Sequence, residues 1–147
     1  MKTRLIDLDT DYADVAKWWE SHGIKVIPSG FLPKVGVMVE SDDGVKLCAG
    51  WIYMDNSSPV CWFEWVTTNP KNRPALSVDS LKVAIGAAKA AVLGIREEAT
   101  GAAAIMFTCR QPSLARLFEK EGFERTDEGV THMLCVVENN EPVEAAN

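Results

Sequence analysis

The stretch VCWFEWVTTNPKNRPALSVDSLKVAIGAAKAAVLGI, residues 60–95, decides the fold of this chain. Its first nine residues, Val60 to Thr68, are rich in aromatic and β-branched side chains and predict a strand. From Ser77 the apolar residues recur at helical spacing, which predicts a long helix with one apolar stripe. The stripe comprises Leu81, Ala84, Ile85, Ala88, Ala91, Val92 and Ile95. A strand followed by a turn and an amphipathic helix predicts a sheet with this helix packed on it.

The residues before this stretch predict two strands in a hairpin, preceded by a strand, a helix and a loop. Hydrophobic spacing predicts a strand over 3–8 and then a helix, which is capped by Asp9-Thr10-Asp11 and ends at Gly23. An irregular loop follows over 24–34. Two strands over 35–39 and 46–54 are joined by the turn 41–44. The loop is long enough to cover a site.

The residues after the long helix predict two more strands and a short helix. Residues 102–108 are apolar up to the closing Thr108, which is typical of a strand covered on both faces. A short helix over 113–121 and a last strand over 131–137 follow. We therefore expect one domain over residues 1–138 and a flexible acidic tail over 139–147.

Composition disfavours several classes of function. The net charge of −6 disfavours a nucleic-acid partner, because such binding depends on Lys and Arg neutralising phosphates. No run of about 18 apolar residues and no signal-peptide pattern is present, so we expect a cytoplasmic protein without a membrane partner. The four cysteines, Cys48, Cys61, Cys109 and Cys135, lie far apart in apolar runs. We interpret them as reduced core thiols and expect no metal site.

Two local sequences resemble signatures of the GNAT (GCN5-related N-acetyltransferase) superfamily. Residues 68–73, TNPKNR, are similar to its acyl-CoA motif, in which a strand ends, a Pro and then an Arg or Gln follow, and a helix begins. Residues 117–123, LFEKEGF, are similar to its short-helix signature ending in Gly-Phe. With the order of elements, the resemblance covers about residues 4–137. It implies an α+β fold: a mixed, mostly antiparallel sheet of six to seven strands with helices on both faces.

The resemblance also implies that acetyl-CoA or another acyl-CoA is a co-substrate. A helix N-terminus presents free N–H groups and a positive dipole end, which suit the pyrophosphate of coenzyme A. The family pattern Arg/Gln-x-x-Gly-x-Gly/Ala is eroded here, because Leu76 and Val78 occupy its glycine positions and Pro74 lacks an N–H. Ser77 and Ser80 add hydroxyl donors near the helix start. The implied coenzyme contacts are Val66, Thr67, Thr68, Arg73, Ala75, Leu76, Ser77, Val78 and Phe118.

The alternative for this stretch is structural. Arg73 would then be a solvated surface residue, and the serines with Asp79 would only cap a helix.

Glu64 is the candidate general base. It is the only carboxylate within residues 60–68, and it alternates with Trp62 and Val66 on one predicted face, where desolvation would raise its pKa. This position resembles that of the base in many family members, which lies on the same strand and face. Alternatively, Glu64 is a sheet-surface residue paired with a Lys or Arg.

Two further roles follow from the resemblance. The strand end, residues 66–68, is where the family places pantetheine contacts and a backbone N–H that stabilises the thioester oxygen. The family often supplies a Tyr acid at the position of Phe118, which cannot donate a proton. Water, Tyr12 or Tyr53 would then protonate the leaving thiolate.

Other residues whose side chains could react or bind a ligand have structural interpretations as well. His22 at the end of the first helix and His132 in the last strand are taken as structural, and Cys109 has no sequence-adjacent His to make it a nucleophile. Trp18 and Trp19 cannot share one helix face, so one of them is expected to be exposed, to meet a partner or to contact the loop.

We therefore predict an N-acyltransferase that acts on an amine of a small molecule or protein. The alternative is a catalytically silent GNAT-like module that binds a protein partner or forms a homodimer. The chain also resembles small phage-encoded and bacterial orphan GNAT-like proteins. Some phage relatives modify nucleic-acid bases, which is a minor alternative that the acidic charge opposes.

Overall fold

The computed structural model of the chain describes residues 1–54, 57–95 and 103–129. In chain order its elements are β1 (Lys2–Leu5), α1 (Leu8–Ser21), β2 (Gly36–Glu40), β3 (Lys46–Tyr53), β4 (Val60–Thr68), α2 (Pro74–Ile95), β5 (Ala104–Met106) and α3 (Pro112–Lys120). One 3-10 turn, Ser29–Phe31, lies within the 24–34 segment. No helix in these ranges is long and apolar enough to cross a membrane.

The five strands form one sheet in the order β1-β2-β3-β4-β5. The first four are antiparallel to their neighbours, and β5 is parallel to β4. The predicted α+β class with a mixed, mostly antiparallel sheet is confirmed. The predicted count of six to seven strands is not reached within the described residues, which hold five. The strand expected over 131–137 and the tail over 139–147 lie outside them.

Helices cover both faces of the sheet, as predicted. Alternate strand residues point to opposite faces and bury two separate clusters. On the face that we call the α1 face, the cluster contains Ile6, Val15, Trp18, Trp19, Leu32, Met38, Ala49 and Trp51. On the opposite α2 face, the cluster contains Val37, Val39, Cys48, Ile52, Cys61, Phe63, Ala84, Ile85, Ala88, Val92 and Phe118.

Both long helices begin earlier than predicted. The cap of α1 is Asp7, whose side chain accepts a hydrogen bond from the Asp9 N–H at 3.0 Å, so the predicted Asp9-Thr10-Asp11 cap is wrong. Helix α2 begins at Pro74 rather than Ser77, and the Ser77 N–H already donates to the Arg73 carbonyl at 3.0 Å. Proline suits the first helical position because its missing N–H would have no helical partner there.

Because Asp11 is not a cap, its side chain is free to form a buried ion cluster. Arg4 holds it with two hydrogen bonds of 2.6 and 2.8 Å, and Lys46 Nζ lies 2.9 Å from its Oδ1. Asp11 is fully buried, whereas Arg4 also pairs with Glu40 and Lys46 with Asp14. The Arg4 guanidinium holds the pKa of Asp11 well below its usual range. The cluster ties β1, α1 and β3 together.

The predicted strand over 102–108 is shorter and less covered than expected. Within the described residues 103–108 only Ala104–Met106 is strand, and both Ala104 and Met106 are exposed, so coverage on both faces is wrong. Met106 lies beside Trp62, and the buried cluster of the α1 face contains no β5 residue. An apolar run alone does not reveal where the covering helix ends.

A β-bulge interrupts β4 beside Gly50. Ala49 is opposite Thr67 and Trp51 is opposite Glu64, so one β3 residue faces two β4 residues. Trp65, one of these two, has a φ of 57°. Val66, the other, packs against the α2-face cluster. The prediction that Glu64 and Val66 share a face is therefore wrong.

Gly50 is required by this bulge, and we expect Gly50→Ala to destabilise the fold. An added Cβ would lie 2.6 Å from Phe63 Cε2 and 3.1 Å from Val66 Cγ2, and Phe63 is fully buried. Overpacking of this kind costs about 1–3 kcal/mol. Gly86→Ala in α2 is the matched control, because its Cβ meets nothing within 4 Å and alanine favours a helix. Urea unfolding should lower the stability of the first variant only; equal stabilities would refute the close packing at the bulge.

Candidate functional site

Glu64 lies on the α1 face with its carboxylate half-buried. The Thr108 hydroxyl donates to its Oε1 at 3.2 Å. None of the ion pairs within residues 1–54, 57–95 and 103–129 involves Glu64. Burial raises its pKa, in the predicted direction, against a smaller opposing effect of the Thr108 hydrogen bond. A carboxylate with a raised pKa and no cation partner has the properties of a general base.

Strands β4 and β5 part close to Glu64. They pair only between residues 60–62 and 104–106, whereas β4 continues to Thr68. The Glu64–Thr108 contact lies just past the last pair. The edge of β4 over residues 66–68 therefore has no β5 partner, and this is where coenzyme A was expected.

The three predicted pantetheine residues differ in what they expose. Val66 packs toward the α2-face cluster, and Thr67 is buried with no hydrogen-bond partner for its Oγ1 in the part of the chain that the structure describes. The Thr68 carbonyl lies 2.8 Å from Nε2 of His22, which therefore donates to it. His22 is the C-cap of α1, so its position at this strand end was not apparent from the sequence. A carbonyl accepts two hydrogen bonds, which leaves Thr68 able to bind a second donor.

The start of α2 offers two backbone donors to an anion. Pro74 has no N–H and the Ser77 N–H is already bonded, which leaves the first-turn N–H groups of Ala75 and Leu76. Arg73 is exposed, and its side chain makes no hydrogen bond or ion pair to any described residue. This arrangement keeps the guanidinium available for a phosphate.

Two of the expected features at this helix start are weaker than predicted. Ser80 is fully buried and donates to the Ser77 carbonyl at 2.9 Å, so it is not a phosphate donor. Val78 lies one turn inside the helix, where its N–H belongs to the helical ladder, and its exposed side chain faces solvent.

Phe118 lies in the core rather than at a cleft. Its ring stacks on Phe107 at 3.6 Å between centroids and meets the edge of Phe123 at 5.0 Å. The side chain is 2 % exposed, which does not support the predicted coenzyme contact.

The two candidate tyrosine acids lie in different places. The Tyr12 hydroxyl donates to the Ile27 carbonyl at 2.8 Å. Tyr53 is on the α1 face, where burial and then the nearby charge of Glu64 raise its pKa. The Tyr53 hydroxyl also donates to a carbonyl, that of Phe31 at 2.8 Å, but Tyr53 lies near Glu64 and is therefore the better placed of the two.

The remaining side chains that were candidates for reactivity or ligand contact have structural roles where the structure describes them. Trp18 and Trp19 are 6 % and 0 % exposed, so neither is exposed; both belong to the α1-face cluster, which includes Leu32 of the 24–34 loop. Burial raises the pKa of Cys109, which opposes a nucleophilic thiolate. Cys48 and Cys61 are buried and free, and burial raises the pKa of Cys48 to about 12. His132 and Cys135 lie outside the described residues.

A cleft of about 410 Å³ lies between α1 and the segment after β4. Its lining residues are Asp14, Lys17, Trp18, Ser21, Lys46, Asn69, Pro70 and Lys71. Neither Glu64 nor residues 73–78 line it, so it is separate from the candidate site. Among the described residues no cluster of His, Cys, Asp and Glu could hold a metal ion.

Solved structures of acetyltransferases match this fold over nearly its whole length. A "probable acetyltransferase" has a TM-score of 0.67 at 18 % identity, covering 94 % of this chain and 99 % of that one. A predicted acetyltransferase from Clostridium acetobutylicum, solved with acetyl-CoA, has a TM-score of 0.53 at 14 % identity, covering 90 % and 95 %. Aminoglycoside N-acetyltransferase AAC(6')-Iy in complex with CoA has a TM-score of 0.52 at 16 % identity, covering 92 % and 100 %.

No protein-family model and no curated protein matches the sequence. The structural likenesses confirm the predicted GNAT-type fold.

Proposed function

We propose that this chain, which has the fold of the acetyltransferases it matches, is an N-acyltransferase that moves the acetyl group of acetyl-CoA to an amine. The observation that carries the proposal is Glu64: a half-buried carboxylate, without a cation partner among the described residues, at the point where β4 and β5 part. Structures of the same fold have been solved with acetyl-CoA and with CoA, which supports a coenzyme A thioester as the donor.

In the proposed reaction the amine attacks the thioester directly. The nitrogen lone pair forms a bond to the carbonyl carbon, and the carbon–sulfur bond breaks, so the products are an N-acetyl amine and coenzyme A. Glu64 accepts the proton that the amine nitrogen loses. The leaving thiolate takes a proton from water or from Tyr53. A thiolate is a good leaving group, so the absence of a tyrosine at residue 118 does not prevent turnover.

In this proposal the coenzyme lies along the open edge of β4. Its pyrophosphate binds the N–H groups of Ala75 and Leu76 and the Arg73 side chain. Its pantetheine arm follows residues 66–68 through their backbone groups.

We expect Arg73→Ala to weaken acetyl-CoA binding without changing the fold. The side chain is exposed and unpaired among the described residues, so its removal costs no protein contact, whereas a charged hydrogen bond to phosphate contributes about 1–3 kcal/mol. Lys71→Ala is the matched control, an exposed cation in the same turn. Isothermal titration with acetyl-CoA measures both. Equal affinities in wild type and Arg73→Ala would remove Arg73 from the site.

A catalytically silent binding module is the second candidate. The buried Phe118 and the Leu76 and Val78 side chains at the helix start favour it, because the family pattern has smaller residues at the latter positions. Thermal unfolding with acetyl-CoA separates the two candidates. Acetyl-CoA at 1,000 times its dissociation constant should stabilise an acyltransferase by about 4 kcal/mol. No stabilisation at millimolar acetyl-CoA would favour the silent module.

A further inference from the structure

The surface beside Glu64 on the α1 face is built from aromatic side chains. Trp62 is two residues before Glu64 on the same face, and Tyr53 is opposite Trp62 on β3. Trp65 joins them from the bulge, through a hydrogen bond to Tyr53. Trp62 is 42 % exposed and Trp65 36 %. We call the side chains of Tyr53, Trp62 and Trp65 the aromatic patch.

Hydrogen bonds within the protein hold most of this patch in place. Trp65 Nε1 donates to the Tyr53 hydroxyl at 2.9 Å, and that hydroxyl donates to the Phe31 carbonyl at 2.8 Å. The Trp65 carbonyl in turn accepts from Trp19 Nε1 at 3.1 Å. The polar atoms of Tyr53 and Trp65 are therefore already paired. What the patch offers to a ligand is ring surface that is ordered before the ligand arrives.

A single charge accompanies these rings. Glu64 lies on the same face, close enough for its charge to act on Tyr53, and has no cation partner among the described residues. Exposed aromatic rings beside an unpaired carboxylate complement a cation attached to an apolar group.

We propose that the acceptor is a small primary amine joined by a short chain to a flat aromatic ring, with that ring on the aromatic patch and the amine at Glu64. This inference rests on the proposed function, in which Glu64 is the base. Sugar-like acceptors need many hydrogen-bond partners, and polyamines need several carboxylates. Among the described residues the patch provides neither: the polar atoms of Tyr53 and Trp65 are paired internally, Trp62 adds a single N–H, and Glu64 is the one carboxylate whose charge acts on Tyr53.

The first test compares amines as acceptors. Release of the coenzyme A thiol is followed with 2-phenylethylamine, ethanolamine and spermidine. We expect kcat/KM for 2-phenylethylamine to exceed the other two by at least about tenfold, the effect of one buried aromatic contact. Trp62→Ala should reduce this preference about tenfold, mainly through KM, and Trp62→Phe should retain most of it. Leu93→Ala, an exposed apolar truncation on α2, should change nothing. Equal or better use of ethanolamine or spermidine would overturn the inference.

The second test measures binding without catalysis, so that it stands even if no amine is acetylated. Saturable quenching of tryptophan fluorescence by 2-phenylethylamine, lost in Trp62→Ala and kept in Leu93→Ala, supports the aromatic site. Absence of saturable quenching in the wild type contradicts it. Tighter binding of deoxyadenosine than of 2-phenylethylamine would also contradict it, in favour of a nucleobase.

Discussion

Glu64→Gln should reduce acyl transfer by about 10²–10⁴-fold while acetyl-CoA binding persists, which is the usual contribution of a general base. Glutamine keeps the volume of the side chain and can accept the hydrogen bond from Thr108, but it cannot accept a proton from the amine. The rate is measured as coenzyme A thiol release at saturating acetyl-CoA and amine. Glu20→Gln, the same change at an exposed position of α1, should leave the rate unchanged.

The stability of this variant provides a separate check on the role of Glu64. Because burial raises the folded-state pKa, the folded state binds a proton more tightly than the unfolded state. Stability then falls as pH rises from the unfolded pKa through the folded pKa, and the ionised form carries a desolvation cost at neutral pH. Removing that charge should leave the melting temperature unchanged or raise it. A clear loss of stability with an unchanged rate would instead make Glu64 structural.

Asp11→Asn should cause a large loss of stability without a direct effect on chemistry. The substitution removes a fully buried carboxylate from two cations, and breaking such a buried pair usually costs about 3–5 kcal/mol. We expect about 2–4 kcal/mol, because Arg4 and Lys46 reach solvent and keep Glu40 and Asp14 as partners. Urea unfolding at neutral pH measures the difference from wild type.

Acid should reduce this difference. The folded-state pKa of Asp11 is depressed, so its contribution is fully present above the unfolded value of about 3.9 and is lost as pH falls through the folded value. The difference in unfolding free energy between Asp11→Asn and wild type should therefore be smaller at about pH 3 than at about pH 7. Asp14→Asn, half-exposed on the same helix, should cost less than about 1 kcal/mol. If both variants match wild type at neutral pH, the ion cluster does not stabilise the fold.

Much of the sheet could be predicted from residue types. The bounds Val60–Thr68 agree with the structure, because aromatic and β-branched residues end at Asn69-Pro70. The turn 41–44 was predicted from Asp42-Asp43-Gly44, and Gly44 has a φ of 81°.

The bulge could not be predicted from alternation alone, because alternation assumes one residue opposite one residue. An isolated Gly50 within the β3 pattern was the available signal, since such glycines often mark bulges. Alternation therefore predicts Val66 on the face of Glu64, whereas Val66 packs on the α2-face cluster, and it gives no sign of the hydrogen bond from Trp65 to Tyr53.

The ion cluster could not be predicted for a different reason. The sequence predicts Asp11 as a cap residue, whereas it pairs with Lys46, which lies far along the chain. For the candidate site, the raised pKa of Glu64 agrees with the predicted desolvation, whereas its predicted face agrees for Trp62 and not for Val66. The core position of Phe118 followed from neither, because it depends on how α3 packs on Phe107.

The most direct test of the proposed base is the pH dependence of amine-dependent thiol release, measured for wild type and Glu64→Gln from about pH 5 to about pH 9. The wild-type kcat/KM should rise through the titration of Glu64, and the variant should lack that rise. Both should share a later rise toward alkaline pH as the amine itself loses its proton. A wild-type protein that releases thiol with no amine, or whose profile is the same in the variant, would contradict Glu64 as the base of an acyltransferase.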